Sequence, residues 1–595
     1  MSVLQRRANC NRRAALIPTS IRDPGRIRAL LDSYKIQYTE VTSVRYVENG
    51  APATLYIYWW IESIHPVVAM RIDQDASVAG MYDFGEAAPV PRKPSPHRDA
   101  NITSEDEDVA RSQAKRAPYT IRTSRDWAAA QVSMPRGAVW KDPKRDEYQK
   151  NRNPEYHIAS QPEMGRGQFV YVIQEAAYEM RNNEFQGLTY DDTLEVPIYH
   201  KPTVPKDQLD SGHGTSVLGQ LVGRTKGLAK NAMVYPVSRR SQFGDELTTL
   251  GSLAVVLESI VRNNQRGKAV INISFGHDDA VIGRPYLNAI RQLLEELDEA
   301  GTVIVASSGN TPWNGNDLDL AKLPVDSYPA LFGEPGSQGY LPNLIVVGGS
   351  TDDGEKTDAS QQAAWIDTFA PGFIMSVARG VGDGAVQGAG SSYAAPMVAG
   401  LVAYIRSIPS KYQKTLEDPE SVKGMIKSLS RKFGYWNEYT NAPVPGDDPK
   451  AVAVIWNGQS GQDTCFVETG NGPEWCSPNW SPGPGGPGGG ADPGGSGKKI
   501  EWKPGTDAPK CTSNSAPNLF KKRAEATCGG VLCKGYYCTP NPRGPPPDFR
   551  DPKDPNRDND DNETPPGPGP VPTPMPTPGP ARIRRRSLWD TLFLS

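Results

Sequence analysis

Apolar and polar positions along this chain follow two successive patterns. Before Asp83, a helical stretch from Arg26 to Tyr34 is joined to strand-like runs at Tyr38 to Val47 and Thr54 to Trp60, which predicts a small α+β unit over residues 18–83. From Phe169 onward, short apolar or β-branched runs recur at Phe169 to Ile173, Met233 to Val237, Ala269 to Phe275, Thr302 to Ser307 and Leu344 to Val347. Between them lie helical segments such as Leu250 to Arg266 and Tyr286 to Ala300. Apolar strands alternating with helices predict a mostly parallel central sheet covered on both faces, a three-layer α/β domain over 119–457. Function in such folds sits at the carboxyl ends of the strands.

Composition divides up the rest of the chain. Residues 84–118, rich in Pro and charge, read as a linker that holds the dibasic pair Lys115-Arg116, a candidate processing site. The chain has 58 glycines and 55 prolines, and most of the excess follows Trp456. Residues 458–539 read as a Gly/Pro-rich linker with a cysteine-bearing segment, and 540–595 as a Pro-rich tail. Such composition buries too little apolar surface to offset chain entropy. The basic and apolar end, Ala581 to Ser595, reads as a frayed terminus rather than a membrane contact.

Net charge is -3, so no global basic field draws the chain to nucleic acid or an acidic membrane. No run of 18 apolar residues exists to cross a bilayer. Six of seven cysteines (Cys465, Cys476, Cys511, Cys528, Cys533, Cys538) lie in the tail. An even set without nearby histidine points to disulfides rather than zinc, hence an oxidising, extracellular setting. The N-terminus is positively charged but has no apolar core, so it does not read as a signal peptide. Either the gene starts upstream of Met1, the reading we favour, or the cysteines are unbridged. Sequons at Asn101, Asn479 and Asn562 lie in polar or Pro-rich sequence suited to glycosylation, whereas the one at Asn272 lies in a core strand.

Two segments carry chemistry. Gly390-Ser391-Ser392-Tyr393-Ala394-Ala395-Pro396 presents Ser392 at the start of a helix whose small side chains permit close packing on a sheet. The partial positive charge at a helix N-terminus favours a developing oxyanion, although in isolation such a Ser reads as an N-cap. The stretch from Gly212-His213-Gly214-Thr215 to Gly219 supplies a His flanked by glycines at another helix start. A lone His is more often structural; a partner Ser reverses that reading.

These segments, together with Asn272 to Gly276, Ala306 to Asn310, Tyr328-Pro329-Ala330 and Ala370-Pro371-Gly372 in the same order, resemble the subtilisin-like serine peptidases (S8), and Trp127 to Gly137 with Gly165 to Val172 resemble the lead-in of the fungal secreted branch. Ser391 stands where that family usually has Thr. The resemblance implies an acyl-enzyme at Ser392, with His213 as general base and Asn310 and the Ser392 N–H as oxyanion donors. It also implies a polypeptide substrate pairing with the walls at Ser274 to Gly276 and Ala306 to Gly309, a monomer, and no cofactor for the chemistry, with calcium left open.

The third triad member departs from the family. The family's catalytic Asp follows a Val-Ile pair, and here Val172-Ile173 is followed by Gln174 and Glu175. Without gaps Gln174 takes the Asp position. An amide can orient the imidazole but cannot stabilise imidazolium, and it can select the wrong tautomer; the exchange costs roughly 10⁴ in kcat. Glu175 reaches His213 only through a bulge, because successive strand side chains face opposite ways, and Asp191 and Asp192 are remoter. The sequence therefore leaves two readings: a secreted serine endopeptidase, impaired or not, and an inactive relative that binds peptides or glycans. The 18–83 unit is similar to the inhibitor-like propeptides of this family, with an unrelated α+β domain as the alternative.

Overall fold

The computed structural model describes residues 12–46, 52–86 and, with short interruptions, 120–196 and 212–464. The linker about Lys115-Arg116, the tail cysteines, the three surface sequons and Glu175 lie outside the described residues.

The first unit is a four-stranded antiparallel sheet of β1 (Arg12–Pro18), β2 (Thr39–Arg45), β3 (Ala53–Ile64) and β4 (Val78–Glu86), in the order β2-β3-β1-β4. Helices α1 (Gly25–Ser33) and α2 (Pro66–Asp73) cover one face. Central strand β1 begins ahead of the expected boundary at Pro18. Its segment RRAALIP is buried on both faces along most of its length, so it shows no alternation to betray a strand. Alternation in β1 and β3 sends Ala14, Leu16, Trp59 and Ile61 toward α1 and α2, and Ala15, Ile17 and Trp60 to the opposite face.

The larger sheet contains β5 (Phe169–Gln174), β6 (Thr189–Tyr190), β7 (Met233–Ser238), β8 (Ala269–Ile273), β9 (Val303–Ser307), β10 (Ile345–Ser350) and β11 (Thr368–Pro371). Their order is β11-β10-β9-β8-β5-β7-β6, and every neighbouring pair is parallel. Val170, Val172, Val303 and Val305 face the layer that holds α3 (Gly212–Val222) and α6 (Ser391–Ser407). Tyr171, Ile173, Ile304 and Ala306 face α4 (Glu246–Arg262) and α5 (Arg284–Glu299). This is the three-layer α/β architecture with a parallel central sheet expected from the strand and helix pattern.

Helix α4 buries Leu250, Leu253, Leu257 and Ile260, a face of helical spacing, and α5 buries Tyr286, Ile290, Leu293 and Leu297. Each such side chain contributes about 2 kcal/mol by leaving water. The other side of these two helices receives the bare face of the first sheet, so Ala15, Ile17, Val41, Trp60, Leu250 and Ile290 share one core. Polar groups fix the docking. Ser43 Oγ donates to Ala254 O at 2.6 Å, and Arg22 Nε lies 2.5 Å from the buried Glu296 carboxylate. The edge-to-face pair Tyr82 and Tyr286 lies across the same junction.

Candidate active site

The sheet order sets β5 beside β8 and β8 beside β9, so residues at their carboxyl ends meet on one rim. Gln174 is the last residue of β5 and is 1% exposed. Its pairing runs in unbroken register, with Ile173 opposite Ile273 and Gln174 opposite Ser238. No bulge displaces it from the end of the strand.

Gln174 Oε1 lies 2.9 Å from Nδ1 of His213, which stands half-buried on the first turn of α3. A carbonyl oxygen only accepts, so Nδ1 carries the ring proton and Nε2 keeps its lone pair. The wrong-tautomer outcome anticipated for an amide therefore does not arise with this orientation. The cost falls elsewhere: Gln174 Nε2 is buried with no hydrogen-bond partner, and no negative charge faces the ring from β5. On the other side of the His213 segment, Arg379 packs over Gly212, where a Cβ would lie 2.5 Å from the guanidinium Nε. Thr215 Oγ1, one turn along α3, accepts from the Glu179 N–H at 2.8 Å. A hydrogen bond from Arg181 holds the half-buried Glu179 carboxyl down at about 2.

The consecutive serines at the start of α6 have different surroundings. Ser391 is fully buried, and its Oγ lies 2.8 Å from Gly309 O and 3.0 Å from Asn310 Oδ1, while accepting from the Gly309 N–H at 3.1 Å. Its hydroxyl is committed to the loop after β9. Ser392 is half-buried and lies between that locked residue and Tyr393, whose ring centroid is 5.7 Å from that of His213.

Asn310 is exposed, just past the end of β9, and forms an isolated bridge with Ser360. The Ser391 N–H donates to Asn310 Oδ1 at 2.8 Å, which fixes the amide orientation and leaves the NH2 group as its remaining donor. Gly390 makes this fit. It caps α6 at φ 138°, and a Cβ there would lie 2.8 Å from Asn310 Nδ2. Gly309, at φ +100°, admits the side chain of Gln361, whose Oε1 would sit 2.0 Å from a Cβ.

Folding thus brings Gln174, His213, Asn310 and Ser392 to one rim. Asp191 and Asp192 lie just past β6, at the far edge of the sheet; the Asp191 N–H donates to Val234 O at 2.8 Å. Tyr393, Arg379 and the lock by Ser391 were not legible as site features. Tyr393 follows Ser392 directly, but its position against His213 depends on how α3 and α6 pack. Among the described residues no group of three or more His, Cys, Asp and Glu side chains is gathered for a metal ion. The Glu184 carboxylate instead accepts from the Thr225 N–H and hydroxyl.

The subtilase family model matches residues 180–441, a span that includes His213, Asn310 and Ser392 and begins after Gln174. A subtilisin-like protease of Coccidioides posadasii is 29% identical over 271 residues, 45% of this chain and 57% of that protein. Subtilisin-like protease 2 of Trichophyton rubrum is 29% identical over 45% of this chain and 55% of its own length. This chain therefore spans little more than half the length of these relatives. A solved cold adapted subtilisin-like serine proteinase aligns at 19% identity with a TM-score of 0.37, over 56% of this chain and 97% of that one. The α/β domain built around His213 and Ser392 is therefore similar to the subtilase family of peptidases.

Proposed function

We propose that this protein is a serine endopeptidase that cleaves polypeptide through an acyl-enzyme on Ser392. The observation that carries the reading is the contrast at the start of α6. There the Ser391 hydroxyl is tied to Gly309 and Asn310, while Ser392 is half-buried beside the His213 and Tyr393 ring pair. Ser392 Oγ attacks the scissile carbonyl carbon as its proton passes to His213 Nε2. The oxyanion receives hydrogen bonds from the Asn310 NH2 group and the Ser392 N–H, the side-chain donor contributing about 3 kcal/mol. The C–N bond breaks, and His213 returns the proton to the leaving amine. Water then attacks the ester, giving its proton to His213, and Ser392 is regenerated. Nucleophile, base and oxyanion donors all come from the chain, so we assign no cofactor to the reaction, and we assign it to a monomer acting outside the cell.

Gln174 favours a second reading. A neutral amide with a buried, partnerless NH2 group positions His213 without supporting its charge, as suits a peptide-binding relative with little turnover. A fluorophosphonate probe separates the two. Labelling that is faster than background, survives Ser391→Ala and vanishes in Ser392→Ala supports the peptidase. Background labelling of the folded protein overturns it.

We assign the four-stranded N-terminal unit a propeptide-like role as a folding partner of the peptidase domain. Its support is the sheet face that packs on α4 and α5 in one shared core.

A further inference from the structure

We propose that Ser327 is a specificity-determining residue which, with Gln361, restricts cleavage to bonds that follow a small side chain: Gly, Ala or Ser. The inference rests on the peptidase reading and names the substrate class of that site. In acyl transfer to Ser392 the leaving amine must face His213, which returns its proton. The residue that supplies the attacked carbonyl therefore lies on the other side of Ser392. Its oxygen is at Asn310, and its side chain is directed between the walls Ser274 to Gly276 and Ala306 to Gly309. The second wall is tied to the neighbour of the nucleophile, since the Gly309 N–H donates to Ser391 Oγ at 3.1 Å. The slot between the walls thus opens beside Ser392.

Bare glycines border this slot, and side chains fill it from below. Gly276 is exposed and Gly309 half-buried. A Cβ at Gly276 would lie 2.5 Å from Ser327 Oγ, and the same hydroxyl lies 3.5 Å from where a Cβ at Gly309 would stand. One hydroxyl therefore spans the gap between the two walls. Ser327 is held there by the short strand Ser327–Tyr328, which runs antiparallel to His277–Asp278 directly after the first wall, with Ser327 opposite Asp278.

Gln361 closes the slot from the second wall. Its backbone N–H donates to Gly309 O at 2.9 Å, next to the bridge between Ser360 and Asn310. Its NH2 group donates to Lys322 O at 2.9 Å and to Asp326 Oδ1 at 2.8 Å. Both amide protons are committed, so Oε1 is the end turned toward Gly309, 2.0 Å from the Cβ position there. A substrate side chain entering between the walls meets two oxygens, Ser327 Oγ and Gln361 Oε1. A methyl or hydroxymethyl group needs little depth. A Leu or Phe side chain must push Ser327 aside or strip water from both oxygens, and either is unfavourable.

Two measurements on the full chain test this, with Ser327→Gly and Ser327→Thr variants first shown to be folded by their melting curves. The first is kcat/KM on peptides that differ only in the residue before the cleaved bond: Gly, Ala or Leu. The second is calorimetric binding of the matching product peptides, which end in that residue as a free carboxylate and need no turnover. The parent is expected to prefer Ala to Leu by at least about 10-fold. Ser327→Gly lowers that preference by about 10-fold, and Ser327→Thr, which adds a methyl, lowers Ala relative to Gly by about as much. A general loosening of the fold moves all three peptides together, so these opposite changes isolate the contact. If Ser327→Gly does not fold, Ser327→Ala removes the hydroxyl alone and shifts the preference in the same direction. Equal treatment of Ala and Leu by the parent, or a preference unmoved in folded variants, overturns the proposal. Product binding in the expected order without any turnover supports the slot and overturns the peptidase reading alone. Neither turnover nor binding overturns both.

Discussion

Replacing Gln174 by Glu tests most directly whether the amide beside His213 limits turnover. The two side chains share the same heavy-atom skeleton, so a Glu oxygen falls where Gln174 Oε1 now lies, 2.9 Å from His213 Nδ1. Asp is one methylene shorter, about 1.5 Å of reach, and meets the ring only if β5 moves. A carboxylate and an imidazolium about 4 Å apart between charge centres attract by about 4 kcal/mol at an effective dielectric of 20, or about 10³ in rate. Burial opposes this gain. Residue 174 is 1% exposed, and its second terminal atom has no hydrogen-bond partner, so a second carboxylate oxygen left unpaired there forfeits about 1–3 kcal/mol. The net expectation is a 10- to 100-fold rise in kcat for Gln174→Glu, with Gln174→Asp rising less. The assay is hydrolysis of a chromogenic peptide under saturation, with fluorophosphonate labelling as an independent count of competent serines. A folded Glu variant no faster than the parent refutes the assignment of residue 174 as the third member. An Asp variant faster than Glu refutes the geometry.

Three further outcomes test the surrounding structure. Burial, with Asp418, Glu299 and Glu295 nearby, raises the Asp298 carboxyl to about 6 from 3.8, so its stabilising contribution is complete below about pH 4 and lost by about pH 6. Asp298→Asn should raise stability at pH 7 by about 1–2 kcal/mol and flatten the urea-measured pH dependence between pH 4 and 6. Arg406, 3% exposed, donates to the carbonyls of Leu416, Ala269, Gly301 and Glu417, so Arg406→Met should strand these acceptors and cost about 3 kcal/mol or more, read as a lowered Tm. Removing residues 1–86 should uncover the α4 and α5 face about Leu250 and Ile290, seen as increased binding of a hydrophobic dye and loss of solubility.

Much of the fold was legible before any coordinates, because parallel strands buried on both faces must be continuous apolar runs. Phe169 to Ile173 and Thr302 to Ser307 carry that mark and became β5 and β9 with ends shifted by one residue. The same burial hid β1, whose RRAALIP lacks alternation and is too short to separate from a helix fragment. Motif order was enough to single out His213, Asn310 and Ser392, since glycines and small residues around a polar side chain report a tight turn at a helix start. Sequence also placed an amide where a carboxylate is usual. Which end of that amide meets the ring depended on the spatial partners of Gln174, and so did the separation of a locked Ser391 from Ser392. The approach of Tyr393 and Arg379 to the His213 segment depended on how α3 and α6 pack across one face of the sheet. Local pattern determines which residues form each element, because backbone and solvent act on neighbours. Contacts between elements far apart in sequence, and the charges they set beside one imidazole, were decided by the tertiary fold alone.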